Sequence, residues 1–144
     1  MTTNKTNRPH LSETENGWQK FWKSFWNGEK PKINEDYCMK GRVSPELKRK
    51  ITLNLRTIIE HSTKYKIGKT GDAYIRTDKN DYRNGYNKMY LIFKSKSESI
   101  VSELEENYIA KFIEDEKNDN KRVKSPGKGM YSYDGYFYLY IVTN

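Results

Sequence analysis

A chain of 144 residues has room for one domain of ordinary size with a short appendage and too little for a second independent core. Apolar residues make up only 34% of it, but twelve Tyr, five Phe and three Trp supply large rings, so the expected core is small and aromatic. The 27 Lys and Arg against 19 Asp and Glu give a net charge of +8, which favours a polyanionic partner through counterion release. Nucleic acid is the first candidate, with a membrane surface or an acidic protein as alternatives. Cys38 is the only cysteine, which excludes an intramolecular disulfide and a cysteine-based zinc site.

Met1 to Ser12 is polar, lacks the apolar segment of a secretory leader and has no periodicity, so a tail is expected there. No later run approaches membrane-spanning length, and a soluble, intracellular (cytoplasmic) protein is the expectation. Trp18, Phe21, Trp22, Phe25 and Trp26 recur on one face of a helix that Asn27-Gly28 would end. This aromatic amphipathic helix would pack on the main domain, anchor a protein partner through Trp18, Trp22 and Trp26, or lie at a membrane interface. Residues 28–43 carry Gly28, Pro31 and Gly41 and suggest an irregular connection, so residues 1–42 are expected to precede a domain at 43–144.

Ser44 suits an N-cap, Pro45 the first helical position and Glu46 the first turn, while Leu47, Ile51, Leu55, Ile58 and Ile59 keep helical spacing. A short strand from Tyr65 ends at Gly68, and residues 72–84 suit a short helix carrying Arg76. Lys88–Lys94 reads as a strand and Ile100–Ile113 as a second strong helix, capped by Ser97 or Ser99. An exposed loop with Lys121, Arg122, Lys124 and Lys128 follows, then a β-prone strand from Tyr136 to Val142. The order implies an α+β domain with a small, mostly antiparallel three-stranded sheet flanked by helices.

Gly68-Lys69-Thr70 invites comparison with a phosphate-binding loop, but Thr63 stands where that loop needs its first glycine. The two histidines, His10 and His61, lie in unrelated surroundings, which argues against a histidine metal site. Cleaving a phosphodiester takes an activated water, a positive charge near the phosphorus and usually a carboxylate-held divalent metal. Tyrosines, Arg76 and Glu105 are residue types that supply these parts.

The segment Tyr65-Lys-Ile-Gly-Lys-Thr-Gly-Asp-Ala-Tyr-Ile-Arg76, followed by Glu103-Leu-Glu105-Glu-Asn-Tyr-Ile-Ala-Lys-Phe112, resembles the GIY-YIG nuclease superfamily, in the branches that read KIG in place of YIG. The resemblance covers roughly residues 64–113. The family's first strand normally precedes this segment, whereas here the C-terminal Gly135-Tyr136-Phe137-Tyr138-Leu139-Tyr140 looks like that strand moved to the chain's end, a circular permutation. It would pair between 64–68 and 88–94. The resemblance implies a GIY-YIG-like, metal-dependent endonuclease acting on nucleic acid, DNA before RNA. Tyr138, or Tyr136 one alternation away, would help deprotonate the attacking water, Arg76 would stabilise the phosphate, and Glu105 would hold Mg²⁺ or Mn²⁺. Tyr82 stands where the family often has a further His or Tyr, Lys66 replaces the second motif's tyrosine, and Tyr65 would point to the opposite face. Lys69, Lys121, Arg122, Lys124 and Lys128 are the candidate nucleic-acid contacts. The alternatives are a catalytically inactive binding module of the same fold and a protein-interaction factor built on the Trp/Phe helix.

Overall fold

A computed structural model describes residues 28–123 and 129–144. The aromatic stripe from Trp18 to Trp26 and the loop residues Lys124 and Lys128 lie outside the described residues. Four strands, β1 (Lys32–Asn34), β2 (Tyr65–Thr70), β3 (Lys88–Ser95) and β4 (Phe137–Thr143), form one mixed sheet in the order β1-β3-β4-β2. Among the described residues four helices accompany them: α1 (Pro45–Glu60), α2 (Ala73–Arg76), α3 (Asn80–Gly85) and α4 (Glu98–Lys111).

The C-terminal strand is central, antiparallel to β2 on one side, with Gly68 opposite Tyr140, and to β3 on the other, with Leu91 opposite Tyr140. The expected three-stranded sheet is corrected to four. Lys32–Asn34 adds a short parallel strand against Lys88–Tyr90. Three residues, mostly exposed and without apolar alternation, leave almost no sequence signal for it. Its pairing comes from position: Lys32 N–H donates to the Asn87 carbonyl at 3.0 Å, and Met39 bridges to β3 farther along.

The sheet separates two apolar clusters of unequal size. On one face, α1 buries Leu47, Ile51, Leu55, Ile58 and Ile59, and α4 buries Val101, Leu104, Tyr108 and Ile109, against Tyr65, Ile67, Phe93, Leu139 and Ile141. Ser44 caps α1 by accepting from the Leu47 N–H at 3.1 Å, with Pro45 in the first turn, while Ser97 caps α4 through Ile100. A bulge at Ile92 lets Ile92 and Phe93 both join this larger core, because two residues there oppose one stretch of β4. On the other face, Tyr82 and Tyr86, from α3 and its end, pack on Met89, Leu91, Tyr140 and Val142.

The outer edge of β2 is covered by the segment after α4. Tyr65 N–H donates to the Lys117 carbonyl at 2.9 Å, and Asp119 N–H returns to the Tyr65 carbonyl at 2.8 Å. The Asn120 side chain then both accepts from the Ile67 N–H and donates to the Ile67 carbonyl, each at 2.9 Å, imitating one further strand residue. This satisfies an edge that would otherwise present open backbone groups. It also brings the basic segment at Lys121 and Arg122 beside the Gly68 end of the strand.

Because β4 carries both ladders and both cores, a chain ending at Gly129 is expected to lose cooperative thermal unfolding altogether, as followed by circular dichroism. Within the full chain, Leu139→Ala empties a fully buried position and is expected to destabilise by about 2–5 kcal/mol in urea unfolding.

Candidate functional site

The site grows from one close approach. An added Cβ at Gly68 would lie 2.4 Å from the Tyr140 hydroxyl oxygen and 2.5 Å from its ring carbon, so the ring occupies the space a side chain on β2 would fill. Only glycine fits there. Tyr140 thereby lies across the sheet with its hydroxyl toward Arg76 and Tyr82. The Arg76 guanidinium donates to that hydroxyl at 3.2 Å, and the Tyr82 and Tyr140 hydroxyls are 2.6 Å apart.

Local chemistry delivers both partners. The Asp72 side chain caps α2 by accepting from the Ile75 N–H at 3.1 Å, which fixes the turn that carries Arg76. An ion pair between Arg83 and Asp78, 2.7 Å long and largely shielded, ties α3 to the end of α2 and so places Tyr82 under Tyr140. Tyr82 is 2% exposed, and its ring meets those of Tyr86 and Tyr140 edge-on. These edge-to-face contacts leave little freedom at the hydroxyl pair.

A cleft of about 390 Å³ opens at this cluster, lined by Lys66, Ile67, Gly68, Arg76, Lys79, Tyr82, Glu105, Ile109, Tyr140 and residues 119–123. Lys66, Arg76, Lys79, Lys121 and Arg122 bring five positive charges to it against the two carboxylates of Glu105 and Asp119, so an anion is favoured in the cleft.

Glu105 occupies a core position of its helix. The buried residues of α4 are Val101, Leu104, Glu105, Tyr108 and Ile109, the spacing of one apolar stripe, so a carboxylate stands where a hydrophobe is expected. It is 6% exposed, and its Oε1 is buried without a hydrogen-bond partner. Burial raises its pKa to about 7, further supported by Glu106, while Lys69 and Arg76 pull it down. A buried oxygen left unpaired calls for a donor or a cation.

Among the described residues no group of three or more His, Cys, Asp or Glu side chains could hold a metal. One orphaned carboxylate in an anion-attracting cleft nevertheless suits Mg²⁺ or Mn²⁺, because Mg²⁺ keeps much of its water shell and takes further oxygens from a bound phosphate. The chain's own contribution there is the single unpaired oxygen of Glu105.

Of the residues singled out in the sequence, the cleft brings together Arg76, Tyr82, Lys66, Glu105, Lys121 and Arg122. Others lie elsewhere. Tyr65 enters the larger core and donates to Asp115 at 2.8 Å, on the face opposite Lys66 as strand alternation requires. Tyr138 donates to Asp134 at 2.6 Å, and Tyr136 lies under the ammonium groups of Lys94 and Lys96. Lys69 donates to Ser102 at 2.6 Å and stands beside Glu105 without lining the cleft. Tyr140, two residues beyond Tyr138, is the tyrosine that β4 delivers to the cleft, because the register sets it opposite Gly68. Sequence reasoning also missed Lys79, Asp119 and Asn120.

Burial lifts the Tyr140 phenol above its ordinary range, and the Arg76 charge and the hydrogen bonds from Tyr82 and Arg76 offset this only in part; burial and Tyr140 itself also raise Tyr82, so both phenols keep their protons at neutral pH. Comparison of the chain with protein-family models, with curated proteins and with solved structures finds no match. Among the described residues no helix is long and apolar enough to cross a membrane.

Glu105 gives the site a pH signature. Its carboxyl holds a proton up to about pH 7 when folded and to about 4.5 when free, so between these values the native state binds more protons than the unfolded one. The stabilisation is complete below about pH 4.5 and is lost as pH rises through about 7. Glu105→Gln, neutral throughout, is expected to lack this decline, so urea unfolding from pH 4 to 8 should show the variant gaining on the wild type across that window.

Proposed function

We propose that the protein is a metal-dependent endonuclease of GIY-YIG type that hydrolyses nucleic-acid phosphodiester bonds, DNA in preference to RNA. The observation that carries this is the meeting of Arg76, Glu105, Tyr82, Lys66 and Tyr140 on one cationic cleft, although they come from two strands and three helices. The sheet order supports a permuted form of that fold. The C-terminal strand runs antiparallel between β2 and β3, where a first strand displaced to the chain's end would belong.

In this mechanism the scissile phosphate enters against Lys66, Lys121 and Arg122, and the Arg76 guanidinium neutralises charge that grows on the phosphoryl oxygens. Tyr140, whose hydroxyl is held by Arg76 and Tyr82, orients the attacking water, and the water's proton leaves to solvent. Glu105 would hold Mg²⁺ or Mn²⁺, which when bound supplies charge stabilisation at the leaving oxygen. A phosphate and a cation arriving together also satisfy the unpaired Glu105 oxygen.

A binding module of the same fold is the second reading, favoured by Lys66 in place of a tyrosine and by the near-complete burial of Tyr140. Removing charge from Glu105 separates the two. Glu105→Gln keeps size but loses the anion a hard cation needs, so cleavage of plasmid and oligonucleotide substrates in Mg²⁺ or Mn²⁺ is expected to fall by about two to three orders of magnitude while binding persists. Arg76→Ala is expected to lose cleavage similarly. A wild-type protein that cuts no nucleic acid with either ion supports the binding module instead.

The cationic wall makes a separate prediction for binding. Neutralising Lys121 and Arg122 to Gln together is expected to lower the slope of log affinity against log salt by about two. An unchanged slope would move the contact surface elsewhere, with the exposed Lys48, Arg49 and Lys50 on α1 next in line.

A further inference from the structure

Tyr131 is 71% exposed, the most exposed of the large apolar side chains in the described residues, yet its backbone is firmly held. Its carbonyl oxygen packs so closely on Gly71 that an added Cβ there would lie 1.9 Å away. On either side, Met130 N–H donates to the Glu98 carboxylate at 3.1 Å, and Tyr133 N–H donates to the Gly71 carbonyl at 2.9 Å. Ser132 adds a hydrogen bond to the Tyr136 carbonyl at 2.7 Å. With the backbone already held, binding a ligand on this ring would cost only the freedom of two side-chain torsions.

The place of the ring is as telling as its exposure. Glu98, Ser102, Glu105 and Ile109 recur along α4 at helical spacing, and each meets the β2 side of the molecule: Glu98 through Met130, Ser102 through Lys69, and Glu105 and Ile109 at the cleft. The Tyr131 segment is thus anchored seven residues along α4 from Glu105, about 10 Å by helix rise. At about 3.4 Å per stacked nucleotide that is roughly three nucleotides. The cations of the cleft would hold a phosphate backbone at the Glu105 end of this distance, and every base offers an aromatic face for stacking on a tyrosine.

We propose that Tyr131 is a base-stacking platform that receives an unpaired base about three nucleotides from the phosphodiester at Glu105, and that the substrate is therefore single-stranded where it crosses this surface. This rests on the nucleic-acid reading of the cleft and adds the strand form to it. In a duplex the base faces are covered by their neighbours, so Tyr131 would contribute to single-strand binding and little to duplex binding.

The test uses the full chain in EDTA, with single-stranded oligonucleotides carrying 2-aminopurine at successive positions and duplexes of the same sequence. Tyr131→Ala is expected to weaken single-strand affinity roughly tenfold, within the range for one stacked base, and to leave duplex affinity within about twofold. Tyr131→Phe should bind like the wild type. Quenching of 2-aminopurine on binding should disappear in Tyr131→Ala and survive in Tyr131→Phe. Gly71→Ala, which displaces the anchoring segment, should weaken single-strand binding in the same direction. Equal single-strand affinities for wild type and Tyr131→Ala, equal losses on both substrates, or a wild type that prefers duplex would each overturn the proposal. A protein that binds and quenches single strands but never cuts them with Mg²⁺ or Mn²⁺ would leave the platform standing and remove the nuclease.

Discussion

The ring of Tyr140 lying on the bare backbone of Gly68 is the contact on which the site depends. It needs β4 in the middle of the sheet, paired to β2 in the register that sets residue 140 opposite residue 68. It also needs α3 beneath it to supply Tyr82 and α2 beside it to supply Arg76. A side chain at position 68 would push the ring away and scatter the three groups. The same geometry leaves the cleft of about 390 Å³ open beside Gly68, next to a guanidinium and two phenols.

Electrostatics oppose each other across this cleft. Five cations favour an anion, while a buried carboxylate with one unsatisfied oxygen favours a cation or a proton. Neither demand is met by the chain alone. Lys69 and Arg76 temper the charge of Glu105, but burial outweighs them and its pKa rises to about 7. A phosphodiester arriving with a divalent ion meets both demands at once, which makes that pair of ligands physically coherent here.

Much of the framework was legible in the chain. The cap and spacing of α1 are strong local signals, since Ser44, Pro45 and five buried apolar residues agree at every level. The C-terminal strand declared itself by its β-branched and aromatic residues, and its central position follows from having two other antiparallel candidates to pair with. What was hidden was non-local. β1 has three residues and is specified by its neighbour rather than by its own pattern. Tyr136, Tyr138 and Tyr140 alternate in the sequence, so the composition cannot say which of them meets Gly68; only the register of β4 can. Glu105 stood out through the resemblance; its break in the apolar stripe of α4 is a second signal, and burial there is what perturbs the carboxylate. Asn120 gave no signal at all, since its role is to mimic a strand partner for a residue 53 positions away.

Tyr140→Phe tests the site most directly. The substitution keeps the ring on Gly68 and removes only the hydroxyl that Arg76 and Tyr82 hold. Wild type and variant should be compared for cleavage of single- and double-stranded nucleic acid in Mg²⁺ and Mn²⁺, beside their urea unfolding midpoints. Cleavage by the wild type that falls at least a hundredfold in a variant still cooperatively folded is the expected result. A folded Tyr140→Phe protein that cuts as fast as the wild type would contradict it.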